Sequence, residues 1–349
     1  MQIGALNSTL PQVRFSGPAP VSAPADQFVP TTADNEVPAN LQKVLEAAGR
    51  PYYDEARDVA SQEKYYANIE QPNYEDLSQL VRRTHRERLG YDPIKYLHPW
   101  VDLRPNLRLQ SIYDKNPVAT TDPIHVSKSS DFVQKIKVQG KPRVHKDGTV
   151  VERKVTAKVN FKDQSRQWAA ELLKAPGNAL EIAQRIALVE GYRYYNAEHS
   201  MPQYFFDRDR TPKGDLHHLF TCEKESNGLR GCRPYGDTRH EPQDAKPGGW
   251  APKDINRFEP ENGKGAVARA ALYFLLRYPG EIGEKADEYQ PEDIQTFLRW
   301  NKDDPVSLYE KHRNQAIEDL QGNRNPLIDH PEWADKVDFT AAFAELKSV

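Results

Sequence analysis

The sequence contains only two cysteines among its 349 residues, Cys222 and Cys232. This number excludes a disulfide-rich scaffold and leaves two alternatives, one bridge across a short loop or two free thiols. The sequence also lacks any run of about eighteen apolar residues, the length that a membrane-crossing helix needs. We therefore expect no membrane partner. The amino end, MQIGALNSTLPQVRFSG, has no basic segment followed by an apolar one, so it does not resemble a secretory signal.

Net charge is also nearly absent, at −3 with a pI of about 6.4, so the overall balance does not indicate a nucleic-acid partner. The distribution is more informative, because residues 120–162 form a basic segment. Two interpretations remain open, a solvated hairpin whose lysines protect exposed strand edges and an arm that follows phosphates. Between Lys128 and Lys162 it contains three acids and ten basic residues, namely Lys128, Lys135, Lys137, Lys141, Arg143, Lys146, Arg153, Lys154, Lys158 and Lys162.

The pattern of apolar residues predicts a mainly helical α+β protein with few strands. Residues 1–40 are rich in Pro, Ala, Ser and Thr and are expected to form a disordered arm before a domain at 41–345. Amphipathic spacing predicts helices at 74–89 and 263–280, and two more within 291–329. Short apolar runs predict a strand at 108–116 and, around Asp147-Gly148, a β-hairpin within 133–161.

Glu198 and His199 stand side by side in YYNAEHSMPQYFF, between aromatic runs. Neighbouring side chains of a strand point in different directions, so such a pair can serve one site only through two different tasks. Asn227 follows about thirty residues later, and a short helix between them could bring it back beside Glu198. A carboxylate and an amide oxygen suit Mg²⁺, which keeps several waters and takes few protein ligands. A structural zinc site lacks its usual Cys and His spacings.

His199 then needs a role of its own. A neutral imidazole close to phosphorus can accept a proton from attacking water, while the planar guanidinium of Arg230 could donate to phosphate oxygens. In this interpretation Glu198 holds the ion and His199 faces the water. The neighbouring pair His217-His218 is instead interpreted as structural, because Leu216 and Leu219 on either side are expected to be buried.

Three segments in this order, YNAEHSMPQYFF, GDLHHLF and ESNGLRG, resemble the endonuclease I family of bacterial nonspecific nucleases. These periplasmic and secreted enzymes belong to the ββα-metal (His-Me finger) superfamily. The segments GAVARAALYFLLRY and LRWNKDDPVSLYEKHRNQAIEDLQGNRNPLID are similar to the helices that follow the family's site. The resemblance is strong over 190–333 and weak over 74–118. The basic segment looks like an insertion, which we expect to contribute to substrate grip.

The resemblance implies that Glu198 and Asn227 are the two protein ligands of one Mg²⁺ and that His199 is the general base. Arg230 falls on an arginine of the motif and is placed near phosphate. The implied activity is cleavage of DNA, and of RNA as an alternative, without sequence preference. Two departures are visible: YFF follows Pro-Gln where many members carry Ser and Trp, and Cys232 stands where Asn is frequent.

Two other functions remain open, a catalytically silent nucleic-acid-binding protein of the same fold and a nuclease toxin or effector delivered by a dedicated export machine. An active nonspecific nuclease would damage its own cell, so we expect export or an inhibitor protein even without a visible signal. Trp300 and Tyr309 are interpreted as core residues. Five polar residues of the last helices are expected to make buried hydrogen bonds that tie these helices to the site, namely Arg313, Asn314, Gln321, Asn323 and Arg324.

Overall fold

The structure is a computed structural model that describes residues 35–114, 133–144, 150–160, 177–206, 209–238 and 246–344. For the segments 133–144 and 150–160 it describes the backbone alone. Most of the predicted arm at 1–40 lies outside the described residues, but its last two residues belong to the first helix.

The described part of the chain is mainly helical with small sheets, which confirms the predicted α+β class. The α-helices, numbered here in chain order, are α1 (Ala39–Ala47), α2 (Glu55–Tyr65), α3 (Tyr74–Thr84), α4 (Pro93–Tyr96), α5 (Ala179–Arg193), α6 (Arg210–Gly214), α7 (Lys224–Arg230), α8 (Lys264–Arg277), α9 (Ile294–Asp303), α10 (Leu308–Gln321), α11 (Pro326–Asp329) and α12 (Ala341–Ala344). A π-helical turn at Leu97–Val101 follows α4, and 3₁₀ turns occur at Leu216–His218, Pro291–Asp293 and Pro331–Lys336.

Side-chain caps explain where several of these helices begin. Asn73 accepts a hydrogen bond from the backbone of Asp76 at the start of α3. Asn178 and Ser307 form complete capping boxes with Glu181 and Glu310 at the starts of α5 and α10. The predicted helix at 74–89 ends early, at Thr84, where the chain leaves helical geometry at the C-cap.

In the described part of the chain, the strands form three separate antiparallel pairs. They are β1 (Val133–Val144) with β2 (Val150–Asn160), β3 (Tyr195–His199) with β4 (Leu219–Glu223), and β5 (Gly249–Trp250) with β6 (Glu259–Pro260). The turn between β1 and β2, which contains Asp147-Gly148, lies outside the described residues. The same holds for the side chains of the basic segment.

Helix α8 is the centre of the core, and α3 and α9 pack against it. The helix predicted at 263–280 is present, but its predicted amphipathic character is wrong, since every residue from Gly265 to Arg277 is buried. Arg269 is tolerated there because Glu310 accepts two of its hydrogen bonds, at 2.8 and 2.9 Å, and main-chain carbonyls accept others. Trp300 and Tyr309 are buried, as predicted.

The predicted strand at 108–116 is wrong for its described part, residues 108–114, which are irregular. Ile112 donates a single backbone hydrogen bond to Thr221 of β4, at 2.9 Å, and no ladder continues from it among the described residues. Leu107 just before this segment adopts a positive φ of 56°, which bends the chain. Within the described ranges, no helix combines the length and the apolar character that crossing a bilayer requires.

Candidate active site

The residues predicted to form the site lie on the β3–β4 pair and on α7, which follows β4 directly. Glu198 pairs across the sheet with Phe220, and His199 pairs with Leu219. Both site residues are buried, with 3% and 4% of their surface exposed. Because side chains of neighbouring strand residues point to opposite faces, the two groups start from different sides of β3.

The carboxylate of Glu198 is held through one of its two oxygens. Oε1 accepts hydrogen bonds from the hydroxyl of Tyr113 at 2.8 Å and from Nη1 of Arg230 at 2.7 Å. Because Tyr113 gives its own proton to Oε1, the hydroxyl of Tyr235 donates to that of Tyr113 at 2.7 Å and lies 3.4 Å from Oε1. Among the described residues, every hydrogen bond to this carboxylate ends on Oε1, so Oε2 remains available as an acceptor for a ligand.

Burial raises the pKa of the Glu198 carboxyl, while the charge of Arg230 and the hydroxyl of Tyr113 oppose that rise. The buried tyrosines and Glu198 in turn raise the pKa of Arg230 despite its burial, so this guanidinium stays charged. A second positive charge beside Glu198 would favour the carboxylate further.

Arg230 is a buried positioning group in this structure. Its Nη1 also donates to the main-chain carbonyl of His199 at 2.8 Å, its Nη2 to that of Ser200 at 2.8 Å, and its Nε to that of Arg233 at 2.8 Å. Only 1% of the residue is exposed. The predicted phosphate contact therefore does not fit this geometry, because the guanidinium is directed at protein acceptors and not at the surface.

Asn227 lies on α7, one turn before Arg230 and therefore on the same helix face. Arg230 reaches Glu198 from that face. The residue surface of Asn227 is half-buried, in contrast to the fully buried Arg230. Helix α7 contacts Glu198 through Arg230, and the approach of Asn227 to Glu198 stays a prediction.

The imidazole of His199 is oriented at both nitrogens. Nε2 lies 3.0 Å from the carbonyl oxygen of Lys213, which can only accept, so Nε2 carries the proton. Nδ1 then presents its lone pair, and the amide Nε2 of Gln203 lies 3.2 Å from it. Burial, with the charges of His218 and Arg230, lowers the pKa of His199 well below its usual value.

Sequence reasoning missed four residues around this pair, namely Tyr91, Tyr113, Gln203 and Tyr235. Gln203 could have been found, because it stands in the same motif as His199, four residues on. Tyr113 and Tyr235 carry no local signal and reach Glu198 only through the fold. The ring of Tyr91 stacks against the imidazole of His199, with centroids 5.4 Å apart and planes inclined by 26°.

The prediction for the polar residues of the last helices is confirmed for Arg313, Gln321 and Asn323, which contact the loop before β4. Asn314 and Arg324 instead donate to Asp329, away from this loop. Arg313 donates to the main-chain carbonyls of Leu216 and Leu219 at 2.9 and 2.7 Å. Gln321 donates to Asp215 at 2.9 Å, and the hydroxyls of Tyr273 and Tyr278 donate to the same carboxylate. These bonds fix the chain that runs from Lys213 into β4. His217 and His218 are buried, as their structural interpretation requires.

The possible bridge between the two cysteines is not formed. Cys222 is buried on β4 and Cys232 is exposed after α7, and both are free thiols. The hydroxyl of Ser111 contacts the sulfur of Cys222 at 3.8 Å. The loop after α7 is therefore held by the bonds of Arg230 and not by a disulfide.

Comparison with known proteins identifies the family of this chain. The model of the family described as Endonuclease I matches residues 145–332, more than half of the 349 residues. The chain belongs to the endonuclease I family. The match includes β3, β4, α7 and α8 to α11, and hence every site residue predicted from the sequence.

Several curated relatives of this endonuclease I family chain are similar over its central part. An extracellular ribonuclease of Bacillus amyloliquefaciens is 38% identical over 138 residues, which cover 36% of this chain and 47% of the relative. An extracellular ribonuclease of Bacillus subtilis (strain 168) is 36% identical over 144 residues, covering 38% and 49%. A periplasmic deoxyribonuclease of Aeromonas hydrophila is 31% identical over 120 residues, covering 34% and 48%. The chain spans about half the length of these relatives.

Proposed function

We propose that this protein is a Mg²⁺-dependent endonuclease that hydrolyses phosphodiester bonds of DNA or RNA with little dependence on sequence. The observation that carries the proposal is that two adjacent residues of β3 supply different groups. Glu198 has one carboxylate oxygen available for a ligand, and His199 has a neutral imidazole of fixed orientation. Relatives named as ribonucleases and as deoxyribonucleases support RNA or DNA as the substrate.

The residues present fit a small hard-oxygen metal site formed by β3, β4 and α7, arranged as a ββα-metal centre. Glu198 Oε2 and the amide oxygen of Asn227 would hold the ion, with waters as further ligands. Within the described ranges, no group of three or more His, Cys, Asp or Glu side chains could hold a metal ion. A site built from one carboxylate and one amide is compatible with this finding, whereas a zinc site with several His or Cys ligands is not.

The chemistry supplied by a bound Mg²⁺ is the stabilisation of negative charge on the phosphate and on the leaving oxygen. His199 accepts the proton of the attacking water at Nδ1, while its Nε2–H stays bonded to the carbonyl of Lys213. The amide of Gln203 lies where that water would approach, so it either orients the water or is displaced by it. Arg230 holds the carboxylate of Glu198 and the main chain of His199 in fixed positions and does not contact the substrate.

The periplasmic and extracellular locations of the relatives support export as the destination of this protein. Export separates a nonspecific nuclease from the chromosome of its own cell. An inhibitor protein that covers the site is the alternative means of protection. Co-purification of a partner from the producing organism would support the inhibitor, and recovery of the protein from culture medium or periplasm would support export.

Incubation of the purified protein with supercoiled plasmid, single-stranded DNA and RNA tests the function. We expect cleavage in the presence of Mg²⁺, loss of cleavage with EDTA, and 5′-phosphate ends that a ligase joins without a kinase. His199→Ala should reduce cleavage at least about a hundredfold, because general-base catalysis contributes on that order. The matched control is His330→Ala, which removes a partly exposed histidine stacked on Trp333 outside the site.

Two outcomes would contradict the proposal. Equal activity of His199→Ala and His330→Ala would show that the imidazole is not the base. Binding of nucleic acid by the wild type without any cleavage across a series of divalent ions would support the catalytically silent alternative.

A further inference from the structure

Tyr91 is exposed directly above the imidazole of His199. Its ring stacks on that imidazole, yet 41% of the residue remains open to solvent. Large apolar side chains are usually buried, so an exposed aromatic ring beside a reactive group requires a reason. In the described part of the chain, the exposed large hydrophobic residues are Val59, Tyr91, Ile182 and Tyr204.

The backbone contacts of its loop hold Tyr91 in place. Arg86 and Glu87 donate backbone hydrogen bonds to the carbonyl of Gln321, at 3.0 and 3.1 Å. On the other side, a Cβ on Gly214 would overlap the carbonyl oxygen of Leu89, so α6 packs against the loop at a glycine. The same helix supplies the Lys213 carbonyl that orients His199. Helix α6 therefore contacts the loop that bears Tyr91 and also orients the imidazole of His199, so it fixes the two rings relative to each other.

A positive charge accompanies the ring. The ammonium of Lys213 lies 5.1 Å from the centroid of the Tyr91 ring. An aromatic ring beside a lysine is the combination by which proteins bind unpaired nucleotides, since the ring stacks on a base and the cation contacts a phosphate. A ring that served only to cover His199 would not need a cation over it or 41% of its residue surface exposed to solvent.

We propose that Tyr91 and Lys213, together the Tyr91 platform, stack the base next to the scissile phosphate and so select nucleic acid that is unpaired at that position. The proposal rests on the proposed nuclease function and adds the substrate class. In a duplex each base is already stacked between its neighbours and must leave the helix to reach a side chain. The expected substrates are therefore single strands, loops and frayed ends.

The test compares cleavage of one oligonucleotide sequence as a single strand and as a duplex. We expect the wild type and Tyr91→Phe, which keeps the ring, to prefer the single strand. Tyr91→Leu keeps an apolar cover over His199 but loses the ring, and we expect it to lower the ratio of single-strand to duplex rates about fivefold or more. The matched control is Tyr204→Leu, since Tyr204 is similarly exposed under Lys285 but contacts Phe205.

A single abasic nucleotide in the oligonucleotide gives a second readout. The wild type should cut less at the phosphate beside the abasic position, and this decrease should be absent in Tyr91→Leu. If Tyr91 only covered His199, Tyr91→Leu would lower the single-strand and duplex rates equally and leave their ratio unchanged. The abasic position would then have no effect on cleavage by the wild type. Either that result or an equal change of ratio in Tyr204→Leu would overturn the proposal.

Binding separates failure of the platform from failure of the function. With EDTA present, an oligonucleotide that carries 2-aminopurine should lose fluorescence on binding to the wild type and not to Tyr91→Leu. Quenching without cleavage under any divalent ion would remove the nuclease function and retain the platform. Cleavage with equal quenching by both proteins would retain the function and remove the platform.

Discussion

Arg230 donates from the same nitrogen, Nη1, to the carboxylate of Glu198 at 2.7 Å and to the main-chain carbonyl of His199 at 2.8 Å. One guanidinium at the end of α7 therefore positions both members of the adjacent pair. This relationship explains how two neighbouring residues that start from opposite faces of β3 can be held as one unit. It also makes the pair sensitive to any change at residue 230.

Replacing Arg230 by Ala should destabilise the fold by roughly 3–5 kcal/mol, because it leaves the buried Glu198 carboxylate without its charge partner. The matched control is Arg57→Ala, which breaks the ion pair with Asp319 at sites that are 49% and 52% exposed. Its cost should be at most about 1 kcal/mol. Urea unfolding at neutral pH measures both, and similar midpoints for the two variants would contradict the structural role of Arg230.

Replacing Tyr113 by Phe should weaken metal activation, because its hydroxyl is one of the donors that fix Glu198 Oε1. Loss of a group that orients a metal ligand typically costs about tenfold or more in metal affinity. The Mg²⁺ concentration for half-maximal cleavage should rise accordingly. Tyr74→Phe is the control, since its hydroxyl donates to the carbonyl of Leu275 in the core. An unchanged Mg²⁺ midpoint in Tyr113→Phe would argue against this arrangement.

Adding one methyl group at Gly214 should disturb the site from a distance. A Cβ there would overlap the Leu89 carbonyl, so Gly214→Ala must separate α6 from the loop that bears Tyr91. We expect lower stability, by about 1–3 kcal/mol as for overpacking, together with reduced cleavage. Gly228→Ala is the control, because a Cβ at this position of α7 would meet no atom within 4 Å and alanine favours a helix. The midpoint temperature of thermal unfolding should fall in Gly214→Ala and rise in Gly228→Ala.

Buried histidines should make the protein less stable as the pH falls. Burial lowers the pKa of His98 and of His217 from 6.5 to about 4. The unfolded chain therefore binds more protons than the folded one between these values, and each residue contributes stability above pH 6.5 that is lost on acidification towards pH 4. The slope is at most about 1.4 kcal/mol per pH unit for each histidine.

Urea unfolding at pH 7.0 and pH 5.0 checks this slope. His98→Leu removes one of these titrations, at a position where neither ring nitrogen has a hydrogen-bond partner within the described residues. We expect a smaller difference between the two pH values in the variant than in the wild type. A difference of the same size would mean that His98 does not contribute to the pH dependence.

The sequence by itself determined the class of the fold and the family to which the chain belongs. Apolar spacing placed α3, α9 and α10 close to where they lie, because this signal is local along the chain. The motifs that contain Glu198, His199, Asn227 and Arg230 indicated the family to which the chain belongs. The two-oxygen metal site and the separate base that they suggest stay predictions.

Only the tertiary structure decided what each group faces. Arg230 proved to be directed at Glu198 and at main-chain carbonyls, α8 proved to be buried on all sides, and Tyr91 was brought from a distant loop onto His199. These outcomes depend on contacts between residues far apart in the chain, and neither periodicity nor local spacing contains that information. Short-range patterns specify an element and its exposed or buried tendency, whereas the partner of a buried charge or ring is specified by packing alone.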